Sequence, residues 1–152
     1  MPSEIDLFRE YIQTQKDVEL GQPTTEQEIA AFEARYGVKL PADVKEYFLK
    51  INGVYISGGF IRLEALSELS PIIEYKYANA EYISRKLEDS ARYFRFGGYD
   101  ISVWEWLIRL DSNADTDNPI IVVHENVTKI ADSFSDFLQK YRSDDPESLL
   151  NS

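Results

Sequence analysis

The chain has 152 residues, no cysteine and a formal net charge of −11. Its length suits one domain able to bury roughly 68–70% of its unfolded surface, and 43% hydrophobic with 13% aromatic residues argue for a packed core and against disorder. The acidity sets aside direct binding to nucleic acid or an anionic membrane, which would repel it, and the lack of thiols excludes disulfides, thiolate catalysis and cysteine-ligated metals.

The first residues, Met1 to Asp6, have neither a basic n-region nor an apolar h-region, and no apolar run approaches the roughly 20 residues of a membrane span. A cytoplasmic protein in a reducing compartment is the expectation. Ser3 can cap a first helix over 3–17, with Ile5, Phe8 and Ile12 on one side, and Gly21-Gln22-Pro23 breaks it. Thr25 and Glu28 form a capping box for a second helix, whose buried face carries Ile29, Phe32 and Tyr36 and which Gly37 ends. Pro41 is placed at the first turn of a third helix. There Val44, Tyr47, Phe48 and Ile51 follow the spacing i, i+3, i+4, i+7, up to Asn52-Gly53.

The period then changes. Residues 58–63 predict a short strand, and Ser70-Pro71 predicts a helix N-terminus leading through Ile72, Ile73 and Tyr77. Residues 84–92 fit helix or loop equally. Tyr93 to Phe96 predict a strand closed by Gly97-Gly98. Trp104, Trp106, Ile108 and Leu110 alternate with Glu105, Leu107 and Arg109, the period of a half-buried strand. A polar loop over 111–118 and a strand from Ile120 to His124 follow. Ser133 and Asp136 then cap a closing helix with Phe134, Phe137, Leu138 and Tyr141 on one stripe, and residues 143–152 are expected to fray. The order predicts a single α+β domain over 1–152, with N-terminal helices and a C-terminal helix packed on a mainly antiparallel sheet.

Two stretches carry a family likeness. Thr25 through Tyr36-Gly37, then Leu40-Pro41 and a helix ending in Asn52-Gly53, resemble the N-terminal signature of the Smi1/Knr4 (SUKH) superfamily. Ala131-Asp132-Ser133-Phe134 with Phe137-Leu138 resembles its C-terminal helix, and Gly97-Gly98 falls where the family often carries a glycine-rich turn. The likeness covers about residues 25–141. It departs from the pattern between Ile101 and Leu110, which are richer in tryptophan. The resemblance implies an α+β fold with no catalytic site and no cofactor. Bacterial members commonly act as immunity proteins that bind and neutralise a cognate toxin, often a nuclease. Fungal members are linked to cell-wall synthesis and signalling through protein contacts, which makes an interaction module the alternative.

The residues themselves offer little chemistry. Asp111, Asn113, Asp115 and Asp117 alternate as in a calcium loop, but Thr116 and Val122 stand where an EF-hand needs glycine and glutamate, so a metal site is not expected. His124 is the one histidine, and nothing in the spacing places a nucleophile beside it. Tyrosine and tryptophan outside the helix stripes are more suggestive, because such side chains anchor protein interfaces. The expected partner-binding residues are Tyr55, Tyr75, Tyr77, Tyr99, Asp100, Trp104, Asp111, Asp115 and Asp117. The expected partner is a basic protein, such as a toxin domain.

Overall fold

The computed structural model describes residues 2–56, 61–74, 85–99, 104–113, 118–123, 127–143 and 149. Helix α1 (Glu4–Gln13) starts at a reciprocal capping box of Ser3 and Asp6 and buries Ile5, Phe8 and Ile12. It ends before the expected Asp17. A short strand β1 (Val18–Leu20), which the sequence did not announce, follows. Helix α2 (Glu26–Tyr36) is capped by Thr25 and stopped by Gly37, whose φ of 66° is the left-handed conformation that glycine adopts without strain. Helix α3 (Ala42–Lys50) has Pro41 at its N-cap and buries Val44, Tyr47 and Phe48.

The remaining strands are β2 (Val54–Ile56), β3 (Ile61–Leu63), β4 (Ser70–Pro71), β5 (Tyr93–Tyr99), β6 (Glu105–Arg109), β7 (Ile120–Val123) and β8 (Val127–Ala131). They form one antiparallel sheet in the order β1-β2-β3-β5-β6-β7-β8, with β4 also paired to β5. Helix α4 (Phe134–Arg142) closes the fold. The α+β architecture, with its helices on a mainly antiparallel sheet, is therefore the one the sequence predicts.

Both ends of the chain lock into one helical layer. Arg142 of α4 holds Glu4 of α1 with two hydrogen bonds of 2.6 and 3.0 Å. Asp43 of α3 accepts from the backbone N–H and hydroxyl of Ser135, each at 2.9 Å. Phe134, Phe137 and Leu138 of α4 are buried, and Phe137 meets Phe96 and Trp106 edge-on at 5.1 and 5.2 Å. Edge-to-face contacts of this kind add about 0.5–1.5 kcal/mol each beyond area burial.

Several expectations need correction. Ser70-Pro71 does not open a helix: it pairs with Arg95 and Phe94 as strand β4, and a single 3-10 turn (Ile72–Glu74) follows. Proline tolerates this edge position because no ladder hydrogen bond is asked of its nitrogen. Gly97 and Gly98 do not close β5 but lie inside it, beside a register shift that leaves Phe96 without a partner on β6. Strand β6 is not half-buried, since Glu105, Trp106, Leu107 and Ile108 are all buried, so this strand is covered on both faces. In the tail expected to fray, Leu149 is buried, and its carbonyl accepts from the Trp106 indole N–H at 2.9 Å. The capping box of α4 is offset by one residue: Ser133 accepts from Asp136 N–H, but the Asp136 carboxylate accepts from Asp132 N–H.

Candidate partner-binding surface

The face of the sheet away from the helices is built from one row of aligned residues. Glu19, Tyr55, Arg62, Gly98, Glu105, Val123 and Val127 stand opposite one another across successive strands. Alternation along each strand puts them on one face, because Val54, Leu63, Trp106 and Val122, their chain neighbours, belong to the core beneath the helices. At Gly98 the row has no side chain. A Cβ there would lie 2.7 Å from the Trp104 carbonyl oxygen, so the close approach of the neighbouring backbone requires glycine.

Arg95 is 5% exposed and bridges two glutamates that are buried as deeply. Its Nη1 donates to Glu64 at 2.5 Å and its Nε to Glu105 at 3.0 Å. Arg62 continues the chain of charges, reaching Glu64 at 3.1 Å and Glu68 at 3.0 Å. The Tyr55 hydroxyl donates to Glu68 at 2.7 Å, and the Arg62 guanidinium lies 5.2 Å from the Tyr55 ring centre. Burial pushes the Glu64 carboxyl above its usual range, against the pull of Arg95 and Arg62. Burial works on Glu68 in the same sense, but the Tyr55 hydroxyl, Glu64 and Arg62 outweigh it and hold that carboxyl low. Tyr55 is pushed up to about 12 by burial and by its bond to Glu68.

Glu68 also belongs to an open groove of about 480 Å³ between α2 and residues 66–74. Glu28, Phe32, Arg35 and Tyr36 form the helix side, while Leu66, Leu69 and Glu74 form the other. The end of α3 sets this second wall in place. Asn52, at a φ of 54°, accepts from Leu66 N–H at 2.8 Å and donates to the Gln22 carbonyl at 2.6 Å. The Asn-Gly that stops the helix thus also fixes where the groove begins. Counting the network behind it, five carboxylates (Glu28, Glu64, Glu68, Glu74, Glu105) stand against three guanidiniums (Arg35, Arg62, Arg95). The local sign is negative.

Of the residues expected to bind a partner, Tyr75, Tyr77, Asp100, Asp115 and Asp117 lie outside the described residues. Tyr55 is on the outer face beside the groove. Tyr99 pairs through its backbone with Ile61 at the same end of the sheet. Trp104 is half-buried and packs against the main core. Asp111 is elsewhere, past the far end of β6. There it accepts from Arg92 and from Arg109, the latter at 3.0 Å, and its own backbone pairs with Lys39. Those bonds make it a structural residue of that corner and hold its carboxyl low, led by its bond from Ser112 N–H. Sequence reasoning missed Arg62, Glu64, Glu68, Arg95 and Glu105. The one available signal was an arginine and a glutamate inside two otherwise apolar strands.

The chain has the helix-sheet order and the Asn-Gly and Ser-Phe signatures in their expected structural places, and the family comparison agrees. A family model described as SMI1 / KNR4 family (SUKH-1) matches residues 23–140. The chain belongs to the SMI1/KNR4 family. No individual curated protein matches it. The matched span of this SMI1/KNR4 member runs from just before α2 almost to the end of α4, so it includes the groove and the Glu64–Arg95–Glu105 bridge. α1 lies outside the match, yet its Asp6 binds Lys50 of the matched span and its Glu4 binds Arg142 just beyond it.

Proposed function

We propose that this SMI1/KNR4-family chain is a non-catalytic binding protein of the immunity type, which masks a basic toxin domain. The observation that carries this is how the charge is spent. Lys50, Arg62, Arg92, Arg95, Arg109 and Arg142 are all held in intramolecular ion pairs. Exposed carboxylates such as Glu10, Asp17, Glu19 and Glu74 add to the surplus facing solvent. Such a surface repels phosphate and attracts a protein that must itself grip phosphate with lysine and arginine. Electrostatic steering can bring that association to about 10⁸–10⁹ M⁻¹s⁻¹ at low salt. Nothing in the reading asks a residue of this chain to do chemistry.

The test is co-expression with the toxin encoded by a neighbouring gene, followed by purification of the pair. Relief of toxicity, together with a complex that weakens as salt is raised, is the expected outcome. Persistent toxicity with no complex at low salt would remove the immunity reading. It would leave a signalling or cell-wall interaction module as the alternative.

A further inference from the structure

We propose that the groove between α2 and residues 66–74 is the docking site for a basic segment of a protein partner, one that sets an arginine or lysine beside an apolar side chain. The inference rests on the binding-protein reading above and gives it a surface and a recognition chemistry. Its starting point is Ile73, which is 49% exposed and is the exposed large hydrophobic among the described residues. A single exposed isoleucine is ordinary on any protein. Here its chain neighbour Glu74 lines a groove whose opposite wall carries Phe32 and Tyr36. Ile73 does not itself line the groove, but it is the exposed apolar neighbour in the chain of a carboxylate that does.

The three groove carboxylates are not equivalent. Glu28 accepts from the Thr24 hydroxyl at 3.0 Å and the Thr25 hydroxyl at 3.4 Å, so it is engaged in starting α2. Glu68 accepts from Tyr55 and Arg62. Glu74 is exposed, and among the described residues no cation is paired with it. Arg35, the cation among the lining residues, lies over the Tyr36 ring at 5.0 Å and keeps its charge, but the three lining carboxylates outnumber it, so the groove stays negative. An incoming guanidinium would find Glu74 free to accept and Glu68 behind it, already fixed in place by Tyr55 and Arg62. The apolar neighbour of that guanidinium would cover Ile73. This pairing of one charge with one apolar anchor separates a specific site from a diffuse acidic surface.

Proton–nitrogen correlation NMR on the whole protein tests this, with the peptide acetyl-Leu-Arg-Leu-Arg-amide as probe and its Leu-Gln-Leu-Gln counterpart as control. The arginine peptide should perturb amides of residues 28–36 and 66–74. Glu74→Lys should weaken it about fivefold, the scale of one exposed ion pair, and Ile73→Ser about threefold, with well-dispersed spectra showing both variants folded. Glu10→Lys, an equal charge change on α1, should move affinity less than about twofold. The proposal is overturned if the control peptide binds equally, if Glu10→Lys weakens binding as much as Glu74→Lys, or if the perturbed amides lie elsewhere. It is likewise overturned if the spectra show a second copy of the chain already seated on 66–74. Failure here is separable from failure of the immunity reading. A toxin neutralised equally well by the Glu74→Lys protein keeps the function and discards this surface, whereas a peptide that maps to the groove beside an unrelieved toxin does the reverse.

Discussion

At β5 and β6 the two faces of the sheet are both buried, but by opposite means. The helix face is a continuous apolar core in which Phe94, Phe96, Trp106, Ile108 and Val122 meet α1 to α4. The outer face is divided. Tyr93, Leu107, Ile121 and Val123 make a small apolar cluster with Ile72. Next to them the Glu64–Arg95–Glu105 bridge occupies space that, in the face below, belongs to aromatic rings. Burying charge is expensive and is repaid only when hydrogen bonds satisfy it. The outer face thus gives up packing energy and gains a fixed arrangement of charge, continuous with the groove through Arg62 and Glu68.

The comparison breaks most visibly at its two centres. Arg95→Met should cost about 3–5 kcal/mol at neutral pH, because it leaves Glu64 and Glu105 buried without their cation. The loss should shrink in acid, where Glu64, its carboxyl raised by burial, takes a proton. Phe137→Ala should cost a similar amount, about 3–5 kcal/mol, through cavity formation, and that loss should stay level across the same pH range. Urea midpoints measured at pH 4.5 and pH 7 for both variants separate the two mechanisms. Ser133→Ala, which removes the N-cap of α4, should cost about 1 kcal/mol and lower the thermal midpoint by a few degrees.

A finer effect concerns Glu64 alone. Its carboxyl is raised by burial, so the folded protein holds that proton more tightly than the unfolded chain does. The resulting stabilisation is complete below the ordinary glutamate range and is lost as pH rises through the raised value. Glu64→Gln keeps an oxygen acceptor for Arg95 and removes the titration. The variant should therefore gain on the parent protein as pH rises from about 4 to 7, and a stability difference independent of pH would contradict this account of the carboxyl.

What could be read from the sequence follows from how local each signal is. α2, α3 and α4 carried caps, stop signals and apolar stripes within a dozen residues, and Ile29, Phe48, Phe134 and Phe137 are buried as their spacing predicts. Strands β1 and β2 are three residues each and have too few positions to show a period. Ser70-Pro71 satisfied a helix-start rule, yet pairing with β5, more than twenty residues away, decided its conformation. The ionic row is likewise non-local. Glu64 and Arg95 are separated by 31 residues, and only the register of β3, β5 and β6 brings them together. Tyr55 was legible as an interface candidate because it lay outside every helix stripe, but its partners Arg62 and Glu68 were not.

Under the proposed function, recognition belongs to the acidic groove between α2 and residues 66–74, while α1 and α4 serve stability. Hydrogen–deuterium exchange of the protein, alone and with a toxin domain that it neutralises on co-expression, is the direct test. Slowed exchange in α2 and residues 66–74, with α1 and α4 unchanged, is the expected result. Protection confined to α1 and α4, with the groove unaffected, would contradict it.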